Sequence, residues 1–168
     1  MTPTDIAAAL KLPPFEKGWV WLVGGGPGDP GLITALGLHA LAAADFIVVP
    51  TSLHPNDVDA VPRTLHWLEK LQRIPTFQAK LAGVILNRTY HKGTADDDLT
   101  KDENLSFHLL EKSVQKFLPT GGAVLKQLIK NSPEVARFAG GSVPLGTTPT
   151  GHEIYKAVAC ELHKRLEG

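Results

Sequence analysis

The stretch Trp19-Val20-Trp21-Leu22-Val23, then Gly24-Gly25-Gly26-Pro27-Gly28-Asp29-Pro30-Gly31, then Leu32 to Ala44, decides the fold. A compact β-forming run stops at a glycine. A glycine- and proline-rich turn follows, and an Ala/Leu-rich segment with helical spacing comes after it. This predicts strand, turn and helix. Phe46-Ile47-Val48-Val49, ended by Pro50, is a second short run that is apolar on both faces, which suits a parallel strand covered on both sides.

Working outward, Thr51 to Asn56 reads as a loop into a helix ending near Arg73. Pro62 marks that helix's first turn or a kink, and Leu65, Leu68 and Leu71 form its inward stripe. Leu81 to Leu86 is a third strand. A polar loop from Tyr90 to Asp102 precedes a helix carrying Leu105, Leu109, Leu110, Val114 and Phe117 at helical spacing. Val124 to Ile129 is a fourth strand. Ser132-Pro133-Glu134 starts a short helix, with Ser as cap and Pro in the first turn. A last helix runs from Gly151 to about Leu166. Strands alternating with helices predict a three-layer α/β domain over 18–168, with a mainly parallel sheet of about four strands. Residues 1–17 read as an N-terminal arm.

The chain has 168 residues, of which 43% are apolar and 20% charged, so it suits one folded domain with one core. Seventeen basic residues balance seventeen acidic ones, so net charge supplies no pull toward DNA or an anionic membrane. No run reaches the ~20 apolar residues of a membrane span. The N-terminus does not read as a signal peptide. The lone Cys160 cannot form an internal disulfide, and a buried structural thiol in a cytoplasmic protein is expected.

The glycine loop lies where ligands bind in open α/β sheets. Its glycines allow close approach to the backbone, and the helix start favours anions. Gly26, Gly28 and Gly31 satisfy G-x-G-x-x-G, but Pro27 and Pro30 each remove an N–H that would face a phosphate. No acidic residue closes the second strand as a ribose partner should; Asp45 precedes that strand instead. A ligand loop and a plain tight turn both remain open on these residues. Gly18 to Asp45, and Trp21-Leu-Val-Gly-Gly-Gly-Pro-Gly-Asp-Pro-Gly-Leu-Ile-Thr34 above all, closely resembles the start of the tetrapyrrole (uroporphyrinogen-III) methyltransferases. The resemblance implies that Gly24, Gly26, Pro27, Gly28 and Asp29 line an S-adenosylmethionine cleft. A second Gly-Asp-Pro segment of that family's kind is absent from this sequence, and 168 residues are fewer than its two-lobed fold needs.

From about Ala40 onward the chain resembles a different family, the ParA/MinD-type partition ATPases. The segments that carry this are Leu41-Ala-Ala-Ala-Asp-Phe-Ile-Val-Val-Pro50, the helix through Trp67-Leu68, Gly83-Val-Ile-Leu-Asn-Arg88, Ile129-Lys-Asn-Ser-Pro-Glu-Val-Ala-Arg137, Val143-Pro-Leu-Gly146 and 151–166. The resemblance implies that Asn87, Arg88, Ser132 and Pro133 frame an adenine pocket for ATP or ADP. On the residues alone, Asn87-Arg88 equally caps a strand, and Ser132-Pro133 equally starts a helix.

Phosphoryl transfer needs a phosphate-binding lysine, and no Gly-Lys dipeptide occurs in this sequence. The expected function is therefore a degenerate ParA/MinD-like domain without the Walker A lysine, a noncatalytic binding or interaction protein. The alternatives are a tetrapyrrole-methyltransferase-like module binding S-adenosylmethionine through Gly24 to Gly31, and an ATPase fragment completed by a partner chain. The two resemblances meet near His39 to Asp45, which reads as a chimera. A bare sheet edge predicts a homodimer. A protein partner and nonspecific DNA complete the expected partners; Lys112, Lys116, Lys126 and Lys130 supply a modest basic face. None of the seven histidines sits at ligand spacing, and Asp96-Asp97-Asp98 reads as a solvated loop, so no metal site is expected.

Overall fold

The computed structural model describes residues 8–12, 20–24, 32–89, 93–117, 124–130 and 149–167. In chain order they form α1 (Ala35–Ala43), β1 (Phe46–Thr51), α2 (Pro55–Gln72), β2 (Lys80–Thr89), β3 (Gly93–Thr94), α3 (Lys101–Val114), β4 (Val124–Lys130) and α4 (Pro149–Glu167). The sheet runs β1-β2-β4-β3. Three strands are parallel and alternate with helices, as the strand–helix periodicity implies, and the two-residue β3 pairs antiparallel to β4. The chain divides into two compact units, 1–47 with 63–81 and 48–62 with 82–168.

In the first unit, α1 begins at Thr34, whose Oγ1 accepts the Gly37 N–H at 3.0 Å. This satisfies one of the donors that every helix start leaves orphaned. The unit's buried apolar residues are Ala40, Ile47, Leu65, Leu68, Phe77 and Ala79. The return from α2 toward β2 is held by backbone turns and by Gln72 Nε2, which donates to the Ala79 carbonyl at 3.1 Å. Lys80 N donates to Asp45 O at 3.0 Å.

Of the expected strand over residues 19–23, the described residues 20–23 are not in a strand. Val20 to Gly24 carry no ladder, and Val20 and Leu22 are 89% and 96% exposed. β-forming side chains favour a pleated surface only where a neighbouring strand exists to pair with.

The second unit is built around β2 and β4. Val84, Leu86, Val124, Leu125 and Leu128 are buried, and α4 lays Val158 and Leu162 against Leu125, Ile129 and Ile85. α3 opens with a capping box: Thr100 Oγ1 accepts from Glu103 N, and the Glu103 carboxylate accepts from Thr100 N at 3.0 Å. Its buried stripe is Phe107, Leu110 and Val114. Leu105 and Leu109, which share the helical spacing, are 63% and 56% exposed. The expected polar loop over 90–102 contains β3 and this capped start.

Three further expectations change. Pro50 does not end β1, which runs on to Thr51. Of the two readings of Pro62, the first turn is ruled out, because Pro62 stands in the interior of α2. Cys160 is exposed on α4, not buried.

Candidate functional site

Ligands bind α/β sheets outside the carboxyl ends of parallel strands. In the second unit these ends carry Thr51 closing β1 and Ser52 after it, Asn87-Arg88-Thr89 in the last positions of β2, and Lys130 closing β4. At the end of β1, Ser52 Oγ donates to Asp57 Oδ2 at 2.6 Å and accepts from His54 N at 3.0 Å. His54 O in turn accepts from Asp57 N and Val58 N in the first turn of α2. Sequence reasoning does not single out this polar turn. Its signal is a serine five residues before an aspartate at a proline-started helix.

Asn87 and Arg88 lie inside β2 rather than capping it. Asn87 is half-buried, and its Oδ1 accepts the Arg88 N–H at 2.8 Å, so this acceptor is already engaged within the strand. Arg88 is exposed at φ 56°, the left-handed region that costs a non-glycine residue roughly 1–3 kcal/mol. The cause is a register shift. Asn87 pairs with Ile129 and Thr89 with Lys130, so Arg88 is the extra residue of a bulge. Thr89 is buried, and its hydroxyl donates to Ile129 O at 3.3 Å. Bulges re-aim side chains, and at this one Arg88 is exposed near the carboxyl end of β2.

Gly24 belongs to the first unit. Among the described residues, a Cβ built there would meet nothing within 4 Å. Gly26, Pro27, Gly28, Asp29, Ser132 and Pro133 lie outside the described residues.

Among the described residues no group of His, Cys, Asp and Glu side chains converges to hold a metal. The aspartate run is committed to local structure: Asp96 pairs with Lys126, Asp97 accepts from Thr94 Oγ1 and Asp98 from Thr94 N. Lys126 is thus removed from any free basic face. No described helix is long and apolar enough to cross a membrane.

Comparison with solved structures finds McdA of Cyanothece. The apo form aligns with a TM-score of 0.51 at 18% identity over 80% of this chain and 46% of that one. An aspartate-to-alanine variant of McdA in complex with ATP aligns with a TM-score of 0.53 at 17% identity over 77% and 47%. At that identity the likeness concerns the fold alone.

Among curated proteins, a uroporphyrinogen-III C-methyltransferase of Sinorhizobium sp is 65% identical over 37 residues, which are 22% of this chain and 13% of that protein. A siroheme synthase of Gluconobacter oxydans is 44% identical over 48 residues, 29% of this chain and 10% of that protein. A uroporphyrinogen-III C-methyltransferase of Pseudomonas aeruginosa is 44% identical over 46 residues, 27% and 19%. The matches cover less than a fifth of each of these relatives' own length.

The family profile extends much further. It matches residues 19–161, so the methylase resemblance is not confined to residues 18–45 and runs through the expected junction at 39–45. By that match the chain belongs to the tetrapyrrole (corrin/porphyrin) methylases.

Proposed function

We propose that this chain is a methylase-type module that binds S-adenosylmethionine through the loop Gly24 to Gly31, with Gly26, Pro27, Gly28 and Asp29 against the cofactor. The observation that carries this reading is the family match over residues 19–161, reinforced by 65% identity over 37 residues to a uroporphyrinogen-III C-methyltransferase. Physical chemistry supports it. A loop this rich in glycine admits a ligand against its backbone, and prolines at 27 and 30 suit an adenosyl or methionyl group better than a diphosphate, which needs consecutive N–H donors. The open space at Gly24 is consistent with ligand approach there. Methyl transfer to a tetrapyrrole is the activity this binding would serve.

A second reading has one observation in its favour, the fold likeness to McdA in complex with ATP. In it the chain binds an adenine nucleotide near Asn87 and Arg88, without hydrolysis because the phosphate-binding lysine is missing. The engaged Asn87 Oδ1 weakens this reading.

Isothermal titration with S-adenosylmethionine, S-adenosylhomocysteine, Mg-ATP and Mg-ADP separates the two. The methylase reading expects S-adenosylhomocysteine to bind and Gly28→Val to abolish the binding, because a branched side chain fills the approach to the backbone. Nucleotide binding lost in Asn87→Ala favours the second reading. Silence from all four ligands overturns both.

A further inference from the structure

Between Val84 and Leu86 of β2, the partner residues on β4 advance from Val124 to Leu128. Two residues of one strand are thus matched by four of the other, and the extra residues of β4 leave the ladder. In a regular strand successive N–H groups point to opposite edges. Here the successive N–H groups of Lys126 and Gln127 converge on one carboxylate, that of Glu161 on α4. Lys126 N donates to Oε1 and Gln127 N to Oε2, both at 3.0 Å.

Arg165, one turn further along α4, completes the arrangement. Its Nη2 donates to Glu161 Oε1 at 2.8 Å and to the Val124 carbonyl at 3.1 Å. The Lys126 carbonyl is taken from the other side by Ala95 N at 2.8 Å. Each of these backbone groups is satisfied by a charged side chain or a turn amide. The Glu161 and Arg165 side chains are only 22% and 24% exposed, so this pair is shielded from the screening that weakens surface ion pairs.

Consecutive N–H groups aimed at one anionic group form a backbone nest, an anion-binding concavity. We propose that the β4 bulge is a carboxylate-binding nest whose resident ligand is Glu161, and that this ligand latches α4 to the sheet. The site recognises a carboxylate through two N–H donors and one guanidinium donor. Apolar packing of Val158 and Leu162 brings α4 to β4 but is non-directional. The nest fixes where along β4 the helix sits, because Lys126 and Gln127 present their paired donors at one place on the strand.

The test uses the full chain and the variant Glu161→Ala, with acetate as the probe. Removing the carboxylate leaves two N–H donors without their acceptor and Arg165 with the Val124 carbonyl alone, so the thermal midpoint falls by several degrees. Acetate then restores part of the loss in Glu161→Ala, beyond the effect of chloride at equal ionic strength, and leaves the wild type unmoved. An equal response to acetate and chloride overturns the nest.

If Glu161→Ala fails to fold, hydrogen exchange in Glu161→Gln decides. The amides of Lys126 and Gln127 should exchange on the order of tenfold faster, the equivalent of one charge-assisted hydrogen bond, while those of Leu128 and Ile129 hold. Uniform change along β4, or none, overturns the proposal.

Discussion

A Cβ built on Gly37 would lie 3.0 Å from Cγ1 of Val23. The segment entering the glycine loop therefore rests against α1 at a point where only a hydrogen fits. Thr34 Oγ1 and Ile33 Cγ1 crowd the same position at 3.2 and 3.3 Å. Gly37→Ala sets two effects against each other. Alanine in a helix gains about 1 kcal/mol over glycine. Overpacking costs about 1–3 kcal/mol. Thr34 Oγ1 is tied to the Gly37 N–H and cannot easily yield, so the clash wins. Urea denaturation should show Gly37→Ala destabilised by about 1 kcal/mol, and an unchanged or raised stability would mean that Val23 moves freely.

Adjacent residues on α3 give a sharper comparison. Leu110 is fully buried, whereas its neighbour Leu109 is 56% exposed. Leu110→Ala should cost about 2–5 kcal/mol, as large-to-small core substitutions do. Leu109→Ala should stay within about 0.5 kcal/mol of the wild type, as a surface change. Equal losses at the two positions would place α3 in a different rotation.

The same helix shows what the sequence carries and what it withholds. Leu105, Leu109 and Leu110 all fall at helical spacing, so periodicity alone admits more than one stripe. Phe107, Leu110 and Val114 form the buried one because the sheet faces that side. The start of α3 is legible, since Thr100 with Glu103 is a capping-box pattern, yet the aspartates just before it give the segment the composition of a solvated loop. Phe46 to Val49 and Val124 to Ile129 declare themselves as strands, because short apolar runs bounded by turns have few other uses. Val20 to Val23, the described part of the expected strand 19–23, is as apolar and is not a strand, since a strand also needs a neighbour, and pairing is nonlocal. For the candidate site, the glycine loop is legible from local composition. The bulges at Arg88 and at Lys126-Gln127 are not, because each is set by the register of two strands about 40 residues apart in sequence, and no local pattern encodes a register.

Arg88 makes that bulge testable. At φ 56° glycine is unstrained, and a β-branched residue is strongly disfavoured. Arg88→Gly should leave stability unchanged or raise it by up to about 1 kcal/mol, even though it removes a long side chain. Arg88→Val should lower it by about 1–3 kcal/mol. The pair of variants, compared by urea midpoints, separates backbone strain from lost side-chain contacts. If both destabilise equally, the side chain matters and the backbone conformation does not.

The ion pair between Lys126 and Asp96 yields a pH prediction with a definite sign. Lys126 Nζ lies 2.8 Å from both carboxylate oxygens of Asp96. The hydrogen bond from Lys126 to Asp96 holds the lysine pKa above its ordinary value; slight desolvation opposes this, and the charges of Asp96, Glu111 and Glu161 add to it. A group whose pKa is raised on folding contributes stability that is fully present below its unfolded value. That stability is lost as pH climbs through the raised folded value. The contribution should therefore be constant across neutral pH and disappear only in the alkaline range above ordinary lysine titration. Both side chains are about half exposed, at 48% and 56%, so salt should weaken the pair. In Asp96→Asn the Lys126 titration, followed by the side-chain carbon shift beside Nζ, should move down toward the ordinary lysine range. The alkaline loss of stability should shrink with it. A Lys126 titration that does not move in Asp96→Asn would assign the shift to Glu161 and Glu111 instead, the other carboxylates that raise it.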